Sequence, residues 1–488
     1  MGGAVTSAQN PSQDEIPTLA VGGVKPRGRR ADFFVAFLGL FMQMGTGLIM
    51  LPFVAATLPP EAFAFFYVFM TLQMLVQLIN NGAVFGFTRH ITYVLSGARE
   101  LTRDGVPLQD GKEVDVRLLS RVINASRRVH MLLAVFTTTV VSIFGSIYIA
   151  RLASTAPDLP FVWESWWLFA AAIVMHIYFN WQIPIQFGAD RMRDYYLTII
   201  VSRLVQVVFT IVGLTMFPNL LTAIIGFALG AVALRICVYI SVRDIIAQCR
   251  HVPRDKAEER KALDAVVPNA WAQTLVGFGE FSISRSTLLI APLFIGVGAA
   301  SQYAAASQAL FAVDSVSRVA AAMLLARITN ARVEKDQKTV QGLVALSFTY
   351  AVCVFVTGAI ALLLFGPGLL ALIGSGTSLP ARSVIVLLAF VFLSDLVMNL
   401  STMLIATGNK IPYLRANLIS GAAVVVGMFC VGFLGYGIVG FILIQGGVLW
   451  AFSAWRWPTH LARDVGLTPT NFGPSAVHAG RKLAFGQL

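Results

Sequence analysis

Long apolar segments separated by short polar ones run along almost the whole chain. A transmembrane helix needs roughly 20 mostly apolar residues, and twelve segments reach that length. They lie at about 32–57, 62–88, 130–151, 163–187, 195–217, 219–241, 267–292, 298–326, 341–365, 381–406, 411–432 and 436–456. The pattern predicts an all-α integral membrane protein of about twelve transmembrane helices.

The longer polar segments divide these helices into two groups of six. We expect a disordered tail at 1–31, an N-terminal six-helix lobe at 32–241, a linker at 242–266, a C-terminal six-helix lobe at 267–457 and a second tail at 458–488. Twelve spans return the chain to the side where it started, so both tails lie on the same side of the membrane. That side also carries the linker.

Two similar segments indicate an internal repeat. The sequence LIMLPF around Pro52 is followed by a short turn and Phe63, and LLIAPL around Pro292 is followed by a short turn and Tyr303, 240 residues later in both cases. A repeat of six spans would relate the lobes by an axis along the membrane normal, as in several alternating-access carriers. Chance similarity between two apolar segments is the alternative, and the sequence leaves both open.

Basic residues predict the orientation. The chain has 36 Lys and Arg against 24 Asp and Glu, a net charge of +12, and 29 of the 36 lie in the tails and in alternate loops. Lys and Arg concentrate on the cytoplasmic side of membrane proteins. Both termini are therefore expected in the cytoplasm, and the scattered placement argues against a nucleic-acid partner.

The loop at 115–129 has an amphipathic pattern of its own. Val116, Leu119, Val122 and Ile123 share one helical face, and arginines surround that face. Such a helix is expected to lie along the inner membrane interface against anionic lipid, which makes membrane lipids a partner.

Composition excludes a soluble protein and offers no sign of catalysis. The chain is 57% hydrophobic and 12% charged, with a mean hydropathy of +0.75. Its four cysteines form no C-x-x-C pair, and the sequence contains no nucleotide-binding G-x-x-x-x-G-K-[ST], no H-E-x-x-H and no D-x-D motif. We expect no disulfide, no metal, no cofactor and no enzymatic activity.

Three short segments and the six-plus-six plan carry a resemblance to a known family. The segments are PFVAATLPPEAFAFFY at 52–67, ATGNK at 406–410 and GFLGYGIVG at 432–440. In this order they resemble the first-helix exit, the basic turn after the tenth helix and the glycine-rich last turn of Wzx-type polysaccharide flippases. That family shares a superfamily with multidrug and toxic-compound extrusion carriers and with lipid II flippases.

The resemblance implies a function. The substrate would be an undecaprenyl-pyrophosphate-linked oligosaccharide, moved by alternating access across the bacterial inner membrane in lipopolysaccharide or exopolysaccharide biosynthesis. The resemblance also allows for a polysaccharide polymerase as a partner protein. A multidrug or small-solute antiporter of the same fold is the alternative, whereas the short outer loops and absent acidic motifs disfavour a membrane glycosyltransferase or polymerase.

Charged residues inside apolar segments are the main site candidates, because burying a charge in a bilayer is costly unless it faces a wet cavity or a partner. Guanidinium groups stay charged and hold phosphate through paired donors, so Arg285 and Arg318 are the first candidates for substrate binding. Arg203, Arg235 and Arg415 lie nearer the cytoplasmic ends, where snorkelling to the interface is the alternative. The full predicted substrate-binding set is Arg285, Arg318, Arg203, Arg415, Asn80, Asn81 and Gln43.

Three acids, Glu280, Asp314 and Asp395, are the predicted ion-coupling residues. Asp314 and Arg318 are spaced i, i+4, so they could instead neutralise each other on one helix. Glu280 could equally serve only to offset Arg285.

Uncharged polar residues within the first, second and fourth spans could bind sugar hydroxyls. Interhelical hydrogen bonds are the alternative role for each of them. These residues are Gln43, Gln77, Asn80, Asn81, His176 and Asn180.

Overall fold

The computed structural model describes residues 29–101, 114–253, 256–407 and 412–484, and these residues form helices and connecting turns without a β-strand. The N-terminal half contains α1 (Arg29–Thr57), α2 (Pro60–Leu95), α3 (Val116–Val140), α4 (Ser146–Ala153), α5 (Val162–Tyr178), α6 (Ile183–Gly188), α7 (Met192–Met216) and α8 (Leu220–Cys249). The C-terminal half contains α9 (Lys256–Ser284), α10 (Thr287–Ile295), α11 (Val297–Val333), α12 (Gln337–Leu372), α13 (Arg382–Ala406), α14 (Leu414–Leu434), α15 (Gly437–Val448), α16 (Ala454–Val465) and α17 (Pro469–Ala484).

The membrane spans agree with the prediction from the sequence. Ten helices of the described chain are long and apolar enough to cross a bilayer without a sharp break, and two bent helices bring the number to twelve. Short π- or 3-10-helical turns join α3 to α4, α5 to α6 and α15 to α16, so each of these pairs forms a single span. The protein is therefore an all-α, multi-pass membrane protein.

The two halves pack their six spans in the same order. In each half the fifth span contacts the first and the sixth. The sixth span also contacts the fourth. The third span contacts both the second and the fourth. The corresponding pairs are α1/α7 and α9/α14, α7/α8 and α14/α15, α5/α8 and α13/α16, α2/α3 and α11/α12, and α3/α5 and α12/α13. This agreement is the outcome that a true internal repeat predicts.

The lobes contact each other at both ends of the bundle. We call the end that carries Thr57 and Met216 the outer end and the opposite one the inner end, following the predicted topology. At the outer end Ser375 donates a hydrogen bond of 2.7 Å to the carbonyl of Ala55. Near the inner end Val266 of α9 packs in one buried cluster with Leu119 of α3. A cavity lies between these contacts.

Helices within a lobe approach closely where glycines line the contact. A side chain at Gly421 of α14 would meet the carbonyl oxygen of Gly279 of α9 at 3.0 Å, and one at Gly279 would meet the backbone of Asn417 at 2.8 Å. Membrane helices use small residues in this way, because no hydrophobic effect drives their association in lipid and close packing must supply the attraction.

The amphipathic segment at 115–129 is not an interfacial helix. It forms the first part of a helix that runs on through α4, 38 residues in length, and Asp115 caps its start by accepting a hydrogen bond from the backbone of Leu118. Val116, Leu119 and Val122 are at most 2% exposed and pack inside the protein. A helix rises about 1.5 Å per residue, so 38 residues exceed a bilayer and the amphipathic part covers the inner end of the N-terminal lobe.

The segments on either side of the C-terminal lobe are also helical. α8 continues past residue 241 into the predicted linker, and α9 begins within that linker at Lys256. In the segment predicted as the second tail, α17 packs on α12, where Gly342 faces Ala479, and Arg332 bonds Asp464 at 2.8 Å. The first tail lies outside the described residues apart from the start of α1.

Candidate functional site: a cationic cavity between the lobes

The first span of each lobe is broken at the same place. α1 bends by 54° between Gln43 and Gly45, and α9 meets α10 at 42°, with Arg285 and Ser286 between them. Each break lies roughly two helical turns before the repeated proline, Pro52 or Pro292. Interrupted helices at corresponding positions of two repeats commonly mark the binding site of a transporter.

The two breaks face one cavity between the lobes. Its volume is about 170 Å³, and it is lined from α1, α2 and α7 on one side and from Arg285 and α11 on the other. Its charged and amide-bearing lining residues are Arg203, Arg285, Gln43, Gln73, Gln206 and Gln308. Among the described residues that line it, none is Asp or Glu, so the lining carries two positive charges and no negative one.

Arg285 is held in this cavity by an aromatic ring. Its Cζ lies 3.1 Å from the ring centroid of Phe311, which also lines the cavity. A guanidinium over an aromatic face is stabilised without using its N–H donors. The buried Nη1 has no hydrogen-bond partner among the described residues. Donors of Arg285 thus remain free for a ligand, at the position predicted from the sequence.

Arg203 also belongs to the cavity rather than to the membrane interface. Its Nη1 donates a 2.7 Å hydrogen bond to Oε1 of Gln206, one turn further along α7, and its Nε is buried without a partner in the described chain. The snorkelling alternative is therefore wrong for Arg203, because its side chain bonds Gln206 and lines the cavity instead of extending to the membrane interface.

The other two inner arginines differ from each other. Arg235 is 5% exposed and places Nη2 2.8 Å from Nδ1 of His176, so snorkelling is wrong for it as well. Arg415 is exposed on α14 and does not line the cavity, as snorkelling would require. Arg415 is thus not among the residues that line this cavity, and its role in substrate binding stays a prediction.

Of the predicted polar residues, the cavity receives only one. Gln43 lines it, whereas Asn80, Asn81, Gln77, His176 and Asn180 do not. Asn80 is 1% exposed and neither of its side-chain polar atoms has a partner in the described residues. Asn81 accepts a 3.4 Å hydrogen bond from Gln77, one turn away on the same helix.

Arg318 forms an ion pair instead of lining the cavity. Its Nη2 lies 2.9 Å and its Nε 3.1 Å from Oδ1 of Asp314, one turn away on α11. The neutralising role that the i, i+4 spacing left open is therefore the one observed. Arg285 lines the cavity between the lobes, whereas Arg318 is not among the residues that line it.

The remaining two acids lie beside this ion pair within the C-terminal lobe. Ser284, the last residue of α9, donates to Asp395 of α13 at 2.9 Å. Glu280, one turn before Ser284, has Asp395 and Arg318 as its charged neighbours. Glu280 thus does not pair with Arg285. Arg318 bonds Asp314 directly, and the charges of both Arg318 and Arg285 act on Asp314 and Asp395. The role of the three acids in ion coupling stays a prediction.

Three amide-bearing residues of the cavity were not predicted from the sequence: Gln73, Gln206 and Gln308. Each is an amide within an apolar helix, on α2, α7 and α11. Gln206 carried a usable signal, because it lies three residues after Arg203 and therefore on the same helical face. Gln73 and Gln308 have no such neighbour in sequence, and only the packing of the lobes brings them to the cavity.

Solved structures of membrane transporters share this architecture. The lipid II flippase MurJ in an inward closed conformation is 12% identical and matches with a TM-score of 0.63, covering 93% of this chain and 92% of its own. A multidrug resistance MATE family transporter of the MOP superfamily, inward-facing, is 14% identical with a TM-score of 0.57, covering 89% and 98%. A MOP superfamily transporter from Pyrococcus furiosus is 14% identical with a TM-score of 0.50, covering 88% and 95%.

No protein-family model matches the sequence, and no curated protein matches it as a relative. The likeness is therefore one of three-dimensional structure at low sequence identity. The chain has the two-lobed, twelve-span fold that these MOP superfamily transporters have.

Proposed function

We propose that this protein is a flippase that moves an undecaprenyl-pyrophosphate-linked oligosaccharide across the bacterial inner membrane by alternating access. The observation that carries the proposal is the cavity between the lobes, which presents Arg203 and Arg285 without a lining carboxylate. The polysaccharide-specific part of the proposal rests on the sequence resemblance to Wzx-type flippases.

The cavity lining suits the two polar parts of such a substrate. A pyrophosphate needs positive charge, and a guanidinium holds phosphate oxygens through paired N–H donors. Gln43, Gln73 and Gln308 supply amide donors and acceptors of the kind that bind sugar hydroxyls. The apolar tail would stay in the bilayer, because transferring it through a polar cavity would lose its favourable contact with lipid.

The packing of the lobes suits alternating access. The lobes contact each other at the outer end through Ser375 and Ala55 and near the inner end through Val266 and Leu119, with the cavity between. In our proposal one set of contacts opens while the other stays closed. The broken helices at Gln43 and Arg285 then allow the end of each lobe to move relative to its middle.

The acids of the C-terminal lobe would couple this cycle to an ion. Glu280 and Asp395 form no direct ion pair within the described residues, although the charge of Arg318 acts on both of them and the charge of Arg285 acts on Asp395. A buried carboxylate that has no direct ion-pair partner favours binding of a proton or a metal cation. Occupation of this site would change the charge beside the Arg285 break.

The alternative function, export of an amphipathic cation, finds less support in the same cavity. Met50, Phe66, Met70 and Met74 line part of it and could contact an apolar drug. A cation, however, would meet two guanidinium groups with no lining carboxylate to offset them. Like charges at close range in a low dielectric repel strongly, so the lining favours an anion.

The test is a flipping assay in proteoliposomes. The probe is a short-chain polyprenyl pyrophosphate linked to a fluorescent disaccharide, whose outward-facing copies are bleached by a membrane-impermeant reductant. The wild-type protein should make the inward-facing copies accessible, and the Arg203→Ala, Arg285→Ala double variant should not. A wild-type protein that flips no pyrophosphate-linked sugar but exchanges an organic cation such as ethidium for protons would overturn the proposal in favour of the antiporter.

A further inference from the structure

A second cavity lies within the N-terminal lobe, away from the one between the lobes. It is about 830 Å³ and is formed by α3, α8 and the turn between α5 and α6. A narrower apolar furrow of about 490 Å³ continues from it along α3 and α5, and Met175 and Phe179 line both. Neither shares a lining residue with the cavity between the lobes.

One end of this groove is cationic. Arg127, Arg235 and Arg250 line it, and none of the described lining residues is acidic. Arg235 is 5% exposed, and its Nε and Nη1 have no hydrogen-bond partner in the described part of the chain. Leaving a buried guanidinium unpaired is costly, so a ligand with an acceptor group would stabilise this end.

The other end is a furrow for an apolar chain. Its lining is almost entirely apolar, with Val141 and Val174 on facing helices and small residues, Ala170 and Ala171, at its floor. The π-helical turn at Val141–Gly145 interrupts α3 beside it. From Trp167 to Tyr178 the furrow follows α5 for about 16 Å by the rise of an α-helix, roughly the thickness of one bilayer leaflet.

The groove opens to the side of the lobe, where lipid would be. Ile236 and Tyr239 at its edge are 54% and 50% exposed. Exposed apolar side chains of this size on a membrane helix face the hydrocarbon. A ligand could therefore enter from the membrane without passing the cavity between the lobes.

From these observations we infer that the groove binds one anionic glycerophospholipid. The phosphate lies against Arg127 and Arg235, and one acyl chain lies in the furrow between α3 and α5. The furrow has about the length of one acyl chain, which favours a glycerophospholipid over the carrier lipid, because an undecaprenyl chain is far longer than this furrow. The apolar furrow also separates this ligand from free phosphate.

The test measures which lipids stay bound to the intact protein. Purified protein is exchanged from mild detergent into nanodiscs that contain equal amounts of phosphatidylglycerol and phosphatidylcholine, then released and weighed by native mass spectrometry. We expect one retained phosphatidylglycerol per protein. Arg127→Ala and Arg235→Gln should each reduce its retention at least fivefold, whereas Arg128→Ala, an exposed neighbour on α3 outside the groove, should not.

A second pair of variants tests the acyl chain. Ala171→Trp should fill the furrow and reduce retention, whereas Val212→Trp, which adds the same ring at a lipid-exposed position of α7, should leave it unchanged. The melting temperature of each variant is measured to separate loss of lipid from loss of fold. Equal retention of phosphatidylglycerol by wild type and by folded Arg127→Ala and Ala171→Trp proteins would overturn the inference. Displacement of phosphatidylglycerol by undecaprenyl phosphate at equal concentration would overturn the choice of lipid.

Discussion

The guanidinium carbon of Arg285 lies over the ring of Phe311, with 3.1 Å between Cζ and the ring centroid. Arg285 occupies the break between α9 and α10, and Phe311 lies on the neighbouring α11. Since the ring supports the guanidinium from one face, the N–H donors at its edge stay available for phosphate oxygens. This contact places a rigid cationic group where the two lobes meet.

Replacing Arg285 with Ala should lower the flipping rate by roughly 10- to 100-fold, because a hydrogen bond to a charged group contributes about 1.5–3 kcal/mol. Lys should recover only part of the rate, since it restores the charge but not the planar pair of donors. The measurement is the proteoliposome assay with the polyprenyl pyrophosphate probe. Arg415→Ala, which removes an exposed arginine outside the cavity, is the control and should flip at the wild-type rate.

Breaking the Asp314–Arg318 pair should act on folding rather than on substrate binding. Arg318→Gln leaves Asp314 buried without its partner, and removal of one member of a buried pair typically costs about 3–5 kcal/mol. The melting temperature should fall, and exchanging the two residues in an Asp314→Arg, Arg318→Asp variant should restore part of it. An Arg318→Gln protein that melts like wild type but flips no substrate would instead assign Arg318 to the substrate.

Neutralising the remaining acids should remove ion coupling. Gln and Asn keep the shape of Glu280 and Asp395 but cannot bind a cation with a full charge or release a proton near neutral pH. Flipping by Glu280→Gln and Asp395→Asn should then no longer respond to an imposed proton or sodium gradient. The control is Glu164→Gln, which alters an exposed acid on α5. Undiminished gradient dependence in both variants would exclude these acids as the coupling site.

The close approach of α9 and α14 should be sensitive to side-chain size. Gly421→Leu places a Cβ 3.0 Å from the carbonyl oxygen of Gly279, which is closer than an ordinary van der Waals contact, and such overpacking costs roughly 1–3 kcal/mol. Its melting temperature should drop well below that of Gly447→Leu. Gly447 is exposed on α15 and a side chain there meets no atom within 4 Å, so equal stability of the two variants would contradict the packing argument.

Cysteine labelling should establish the orientation in the membrane. On a background lacking the four native cysteines, Pro218→Cys and Gly376→Cys should react with an impermeant maleimide from outside the cell. His251→Cys and Lys335→Cys should react only after permeabilisation. All four positions are exposed in the structure, so a cysteine that fails to react cannot be explained by burial within the protein. Reaction of the second pair in intact cells would reverse the topology.

The fold could be predicted from the sequence because a bilayer imposes strict requirements on length and polarity. Twelve apolar segments gave twelve spans, and the similarity around Pro52 and Pro292 indicated two lobes whose packing is the same. The amphipathic segment after Asp115 was misinterpreted for a physical reason. Its apolar face has the same spacing whether it rests on lipid or on protein, and only the tertiary structure shows that Leu119 and Val122 pack against the neighbouring helices.

The cavity could be predicted only in part. Depth along a helix identified Arg285 as a buried charge, but depth alone could not distinguish it from Arg318, which lies at similar depth and pairs with Asp314. The direction of a side chain around its helix decides between a cavity and an ion pair. That direction depends on how neighbouring helices are rotated, and a single sequence does not contain it for isolated amides such as Gln73 and Gln308.

The break at Arg285 has a mechanical consequence. A ligand that binds a side chain in the middle of a straight helix can move that helix only as a whole. Arg285 instead lies at the bend between α9 and α10, whose axes meet at 42°. In the proposed function, a pyrophosphate bound to Arg285 would therefore act directly on the angle between α9 and α10. Substrate binding and helix bending would then involve the same residue, Arg285, so that binding of the substrate itself triggers the conformational change of the lobe.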